Sequence, residues 1–177
     1  MAQQGEKPVG GAKPGLLIVW WSMTGCSRQL AGAAARGASS ECGNALVVRS
    51  LPANRAGPQD VLAAAAFLFV TPENLGTMAG MLKDFFDRSY YAALDRVVAR
   101  PYASIVCAGT DGEGATRQID RIATGWRLRR VAEPLIVCSQ AQTPQQILAP
   151  KVVPPEALDS AFSVGATLAS GLALGIW

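Results

Sequence analysis

The sequence predicts a doubly wound α/β domain, a three-layer αβα sandwich around a five-stranded parallel sheet in the order 2-1-3-4-5. Three observations lead there. Apolar runs suited to buried strands alternate with helical spacing, the first such run ends in a loop of glycine and hydroxyl residues, and no internal repeat divides the 177 residues. Right-handed crossovers leave few topologies, and in this one a ligand sits outside the carboxyl ends of strands one and three.

Residues 1–14 read as a loose polar tail broken by Gly5, Pro8, Gly10, Gly11 and Pro14, and residues 15–177 as one domain. The run 16–21 is uniformly apolar, as a strand buried on both faces must be. An alanine-rich helix follows over 28–38, with Ser27 where an N-cap belongs. A short second strand at 45–49, a helical turn at 58–64 and a Phe-rich third strand at 66–71 come next. Over 77–99, Met78, Met81, Leu82, Phe85, Phe86, Tyr90 and Leu94 recur at three and four residues, so one helical face is core. A fourth strand at 102–108, a helix at 115–126 and a fifth strand at 131–138 precede the last helix, 156–174, which Pro154 and Pro155 introduce.

Composition narrows the chemistry. Half the residues are hydrophobic, 16% are charged and the formal net charge is +3, which suits a well-packed globular protein. With no histidine, the chain has no imidazole base for Ser-His or Cys-His catalysis and no His ligand for zinc. Cys26, Cys42, Cys107 and Cys138 form no C-x-x-C pair and follow no secretory segment, so reduced thiols in the cytoplasm are expected. Arg127, Arg129 and Arg130 make the only dense basic spot, without interleaved aromatics, which argues against nucleic acid. The uncharged stretch 160–177 carries Ser160, Ser163, Thr167 and Ser170 and reads as a small-residue helix lying on a sheet, not a membrane span.

Chemistry is expected in three loops. In the first, Ser22, Met23, Thr24, Gly25, Cys26 and Ser27 aim backbone N–H groups and hydroxyls at one point, where the helix dipole also favours an anion. On spacing alone, those hydroxyls equally serve to cap the helix and complete a turn. The loop lacks the lysine of a Walker loop, so a phosphate there is expected to be held without help from any lysine. Arg28 also stands too close to Cys26 for a cysteine phosphatase. The second loop is Thr71, Pro72, Glu73, Asn74, Leu75, Gly76 and Thr77; the third runs from Ala108 through Gly109, Thr110, Asp111 and Gly112 to Glu113 and Gly114. Each of these also reads as a plain turn.

Two motifs carry a resemblance: Ser-x-Thr-Gly-x-Ser from Ser22, and Thr-Pro-Glu-Asn-x-Gly-x-Met-x-Gly-x-x-Lys-Asp-Phe-x-Asp-Arg from Thr71. In this order, each after a predicted strand, they resemble the flavodoxin and NAD(P)H-dependent FMN reductase group over residues 16–137. The resemblance implies a flavodoxin-like fold in which Ser22 to Ser27 hold the FMN phosphate. It also implies that Thr71 to Gly76 line the isoalloxazine and that Gly109 to Gly112 close on its edge. The flavin then carries the redox chemistry, so no catalytic side chain and no metal is expected. NAD(P)H is the implied donor and a quinone-like small molecule the acceptor; members that reduce quinones often complete their sites across a homo-oligomer boundary. The third loop lacks the aromatic residue that many electron-carrier flavodoxins stack on the ring. An electron carrier, or a flavodoxin-fold protein with weak or no flavin binding, remain the alternatives.

Overall fold

The computed structural model describes residues 13–43 and 45–177, so the expected tail at 1–14 lies outside the described residues except for Lys13 and Pro14. Along the chain run β1 (Gly15–Trp20), α1 (Cys26–Cys42), β2 (Val47–Pro52), α2 (Pro58–Ala63), β3 (Ala66–Asn74), β4 (Thr77–Met78) and α3 (Gly80–Ala93). Then follow β5 (Pro101–Ala108), α4 (Glu113–Gly125), β6 (Arg129–Arg130), β7 (Leu135–Cys138), α5 (Pro144–Leu148) and α6 (Pro155–Ala173).

The sheet runs β2-β1-β3-β5, with β6 and β7 both pairing in parallel with β5, near its start and its end. Read by position, this is the expected 2-1-3-4-5 order, the fifth position being split. Val131 still donates its N–H to the Tyr102 carbonyl at 3.0 Å. Pro134 has no N–H to give, and the ladder resumes only at Leu135. The antiparallel pair β3–β4 was not foreseen: β3 runs beyond Thr71 to Asn74 and turns through Leu75 (φ 52°) and Gly76 (φ 73°).

Alternation along each strand divides the core between two faces. Leu16, Ile18, Leu68, Val70 and Ile105 pack under α1 and α6; Leu17, Val19, Phe67, Phe69 and Val106 pack under α2, α3 and α4. On the first face the two helices touch backbone to backbone. A Cβ at Gly165 would lie 1.9 Å from the Ala34 carbonyl oxygen, and one at Gly37 would lie 2.0 Å from that of Phe162.

Local chemistry explains the shifted ends. The N-cap of α1 is Gly25, in the left-handed region at φ 98°, not Ser27, which lies inside the first turn. The helix expected to reach residue 99 stops at Ala93, where Leu94 donates to the Tyr90 carbonyl and Asp95 (φ 62°) turns the chain away. Helix α5 is short and closed by a capping box between Thr143 and Gln146. Among the described residues no helix is long and apolar enough to cross a membrane.

Candidate functional site

At the carboxyl ends of β1, β3 and β5 the three loops surround a cavity of about 400 Å³. Of the first loop, Ser22, Met23, Thr24, Cys26 and Ser27 line it, while Gly25 lines an adjoining hollow with Trp20 and Arg28. The Gly25 N–H is taken by the Ser22 hydroxyl at 3.0 Å. The N–H groups of Met23, Thr24, Cys26, Ser27 and Arg28 find no acceptor among the described residues. This leaves a run of unpaired donors at the positive end of a 17-residue helix. Such a set of donors at a helix start can accept an anion.

Two thiols lie at the floor. Ser27, 1% exposed, donates its hydroxyl to Cys107 Sγ at 3.1 Å. The Cys26 and Cys107 side chains both line this part of the cavity. The neighbouring Cys107 thiol and the charge of Lys151 lower the Cys26 pKa against the opposing effect of burial. The neighbouring Cys26 thiol and burial push the Cys107 thiol up.

In the second loop Pro72, Glu73, Asn74 and Leu75 line the cavity. Thr71 does not: it is buried, its hydroxyl accepting from the Ala79 N–H at 3.1 Å and donating to the Pro72 carbonyl at 3.0 Å. Gly76 stands exposed at the hairpin tip. The Glu73 carboxylate accepts from the N–H of Gly112 at 2.8 Å and of Ala115 at 3.1 Å, so it closes the start of α4 and ties the second loop to the third. Of the third loop Ala108 and Gly109 reach the lining. Thr110 and Asp111 face solvent, and Gly112 is the buried, left-handed N-cap of α4 at φ 90°.

Several lining residues escaped the sequence reading: Cys107, Ser139, Ala141, Ile147 and Lys151. The segment after β7 folds back over the first loop. Lys151 donates its N–H to the Thr24 carbonyl at 2.8 Å, and the Gln29 side chain donates to the Lys151 carbonyl at 2.7 Å. The Lys151 ammonium closes the end of α5 on the carbonyls of Gln146, Ile147 (3.0 Å) and Ala149 (2.8 Å). The cradle expected to work without a lysine thus has one beside it. Its spacing from the first loop carries no motif; only the Thr143-Pro144 start and Gln146 of the capping box could have flagged the small helix that brings it there.

The fold is that of flavodoxins. A flavodoxin from the domain Archaea matches at a TM-score of 0.71 with 14% identity, over 89% of this chain and 98% of its own. A WrbA-like flavodoxin from Agrobacterium tumefaciens matches at 0.69 with 17% identity, over 90% and 98%. Rubredoxin oxygen:oxidoreductase from Desulfovibrio gigas matches at 0.72 with 15% identity, over 93% of this chain but only 38% of that longer one. No curated protein matches the sequence. The family model for NADPH-dependent FMN reductase matches residues 51–140, a stretch that holds the second and third loops but not the first. On that match, the chain belongs to the NADPH-dependent FMN reductase family.

Proposed function

We propose that the protein binds FMN in this cavity and works as an oxidoreductase, taking electrons from NAD(P)H and giving them to a quinone-like or other small acceptor. The observation that carries the reading is the set of N–H donors of Met23, Thr24, Cys26, Ser27 and Arg28 around the start of α1, which have no acceptor among the described residues. FMN, when bound, supplies the two-electron chemistry. The residues of the chain bind and orient it. The N–H groups of Met23, Thr24, Cys26 and Ser27 and the Thr24 hydroxyl hold the phosphate, with Lys151 adding positive charge nearby. Pro72 to Leu75 and Gly109 flank the ring, and Glu73 keeps those two loops in register. The thiols of Cys26, Cys107 and Cys138, none in a disulfide, agree with a reducing compartment such as the cytoplasm.

Titration of the flavin-free protein with FMN, followed by flavin fluorescence, tests this reading. Saturable quenching at one FMN per chain is expected. Gly25→Asp weakens it about tenfold or more, because a left-handed position disfavours a side chain by about 1–2 kcal/mol and a carboxylate there repels the phosphate. Thr24→Val weakens it by only a few-fold, on the order of 1 kcal/mol for one hydrogen bond. The flavin-loaded protein then bleaches with NADPH in the absence of air. Fluorescence unchanged at every protein concentration overturns the flavin assignment; tight binding without bleaching overturns the reductase assignment in favour of an electron carrier.

A further inference from the structure

The flavin reading gives no role to the thiols beneath the cradle. Cys26 is the first residue of α1 and Cys107 lies near the end of β5, yet both line one cavity. Ser27, the residue after Cys26, donates its hydroxyl to the Cys107 sulfur at 3.1 Å, which holds the second thiol against the start of α1 beside the first. The neighbouring Cys107 thiol and the Lys151 ammonium lower the Cys26 pKa against burial, whereas the Cys107 thiol is pushed up. A thiol that ionises more readily beside a buried one that ionises less readily suits an attacking and a resolving cysteine. Cys138 supplies the contrast: its thiol is pushed up by burial and by the carboxylates of Asp111 and Glu73.

We infer that Cys26 and Cys107 are a peroxide-reactive pair that closes to a disulfide beneath the phosphate cradle. In the first step the Cys26 thiolate attacks hydrogen peroxide; an S–O bond forms, the O–O bond breaks, and hydroxide leaves. In the second step the Cys107 sulfur attacks the Cys26 sulfenic acid; the S–S bond forms, the S–O bond breaks, and the departing hydroxide takes the Cys107 proton as water. The hydroxide of the first step takes up the proton that Cys26 released on ionising, so two thiols lose two electrons and one peroxide becomes two waters. The disulfide forms when the two sulfurs close to ~2.05 Å. One consequence rests on the flavin reading: a phosphate seated on the cradle covers Cys26 and disfavours its thiolate, so bound FMN slows the reaction.

The test uses the full-length, flavin-free, reduced protein. It is treated with hydrogen peroxide, blocked with N-ethylmaleimide and digested for mass spectrometry. The expected product is a peptide pair joined through Cys26 and Cys107, with Cys138 alkylated. In Cys107→Ser the reaction stops at a Cys26 sulfenic acid that dimedone traps; in Cys26→Ser, Cys107 stays reduced. Circular dichroism establishes that both variants are folded. A Cys26 that remains alkylated after peroxide in the folded wild-type protein, or a disulfide joining Cys26 to Cys138, overturns the pair. The FMN arm separates the two ideas: protection by FMN supports both, whereas a Cys26–Cys107 disulfide that forms as fast with FMN present upholds the pair and overturns flavin binding in this cavity.

Discussion

On one face of the sheet, Phe67, Phe69, Phe85, Phe86 and Trp126 interlock, with Phe69 and Phe86 at 4.8 Å between ring centroids and Phe86 edge-on to Trp126 at 5.3 Å. On the other, α1 and α6 are held by alanines, leucines and two glycines, so close that neither Gly37 nor Gly165 leaves room for a methyl group. The aromatic face obtains stability from buried volume, and its helices adjoin the second loop at the start of α3 and the third at the start of α4. The small-residue face holds α1 in backbone contact with α6, where neither helix can accept an added methyl group, and the start of α1 is the cradle. Stability and site geometry are therefore distributed unequally between the two layers.

Substitutions on the two faces can break this contrast. Phe86→Ala is expected to have the largest effect on stability, about 3–5 kcal/mol in urea unfolding, as for other buried Phe truncations. FMN binding measured under native conditions stays at the wild-type level, because α1 is untouched. Gly165→Ala is expected to cost less, about 1–3 kcal/mol, since overpacking is relieved by moving α6 away from α1. Its FMN affinity falls by about tenfold, equivalent to about 1.4 kcal/mol. A Gly165→Ala protein that unfolds earlier yet binds FMN at full strength would remove the link between helix contact and cradle. Glu73→Gln has the smallest effect, about 1 kcal/mol, because the amide keeps one acceptor for the Gly112 and Ala115 N–H groups and loses the other with the charge.

The same contrast shows what could be read from the sequence. The aromatic face was legible because Leu82, Phe85 and Phe86 recur at helical spacing beside a Phe-rich strand. The strand order followed from alternation and crossover handedness. The α1–α6 contact was not legible, since glycine and alanine give almost no periodic signal and their partners lie at the far end of the chain. The first loop was recognised as an anion site, yet its helix start was placed at Ser27 because a serine N-cap outweighs a left-handed glycine in any local reading. Glu73 was expected at the ring; its hydrogen bonds to α4 depend on a fold that brings residues 73 and 112 together. Lys151 reaches the cavity only through the return of the segment after β7, which no local pattern encodes.

The carboxylate that bridges Glu73 to the start of α4 makes the wall beside Pro72 and the wall beside Gly109 a single piece. A guest entering between them would find these two walls already joined, and the cost of bringing the second and third loops together would have been met in folding, not on arrival.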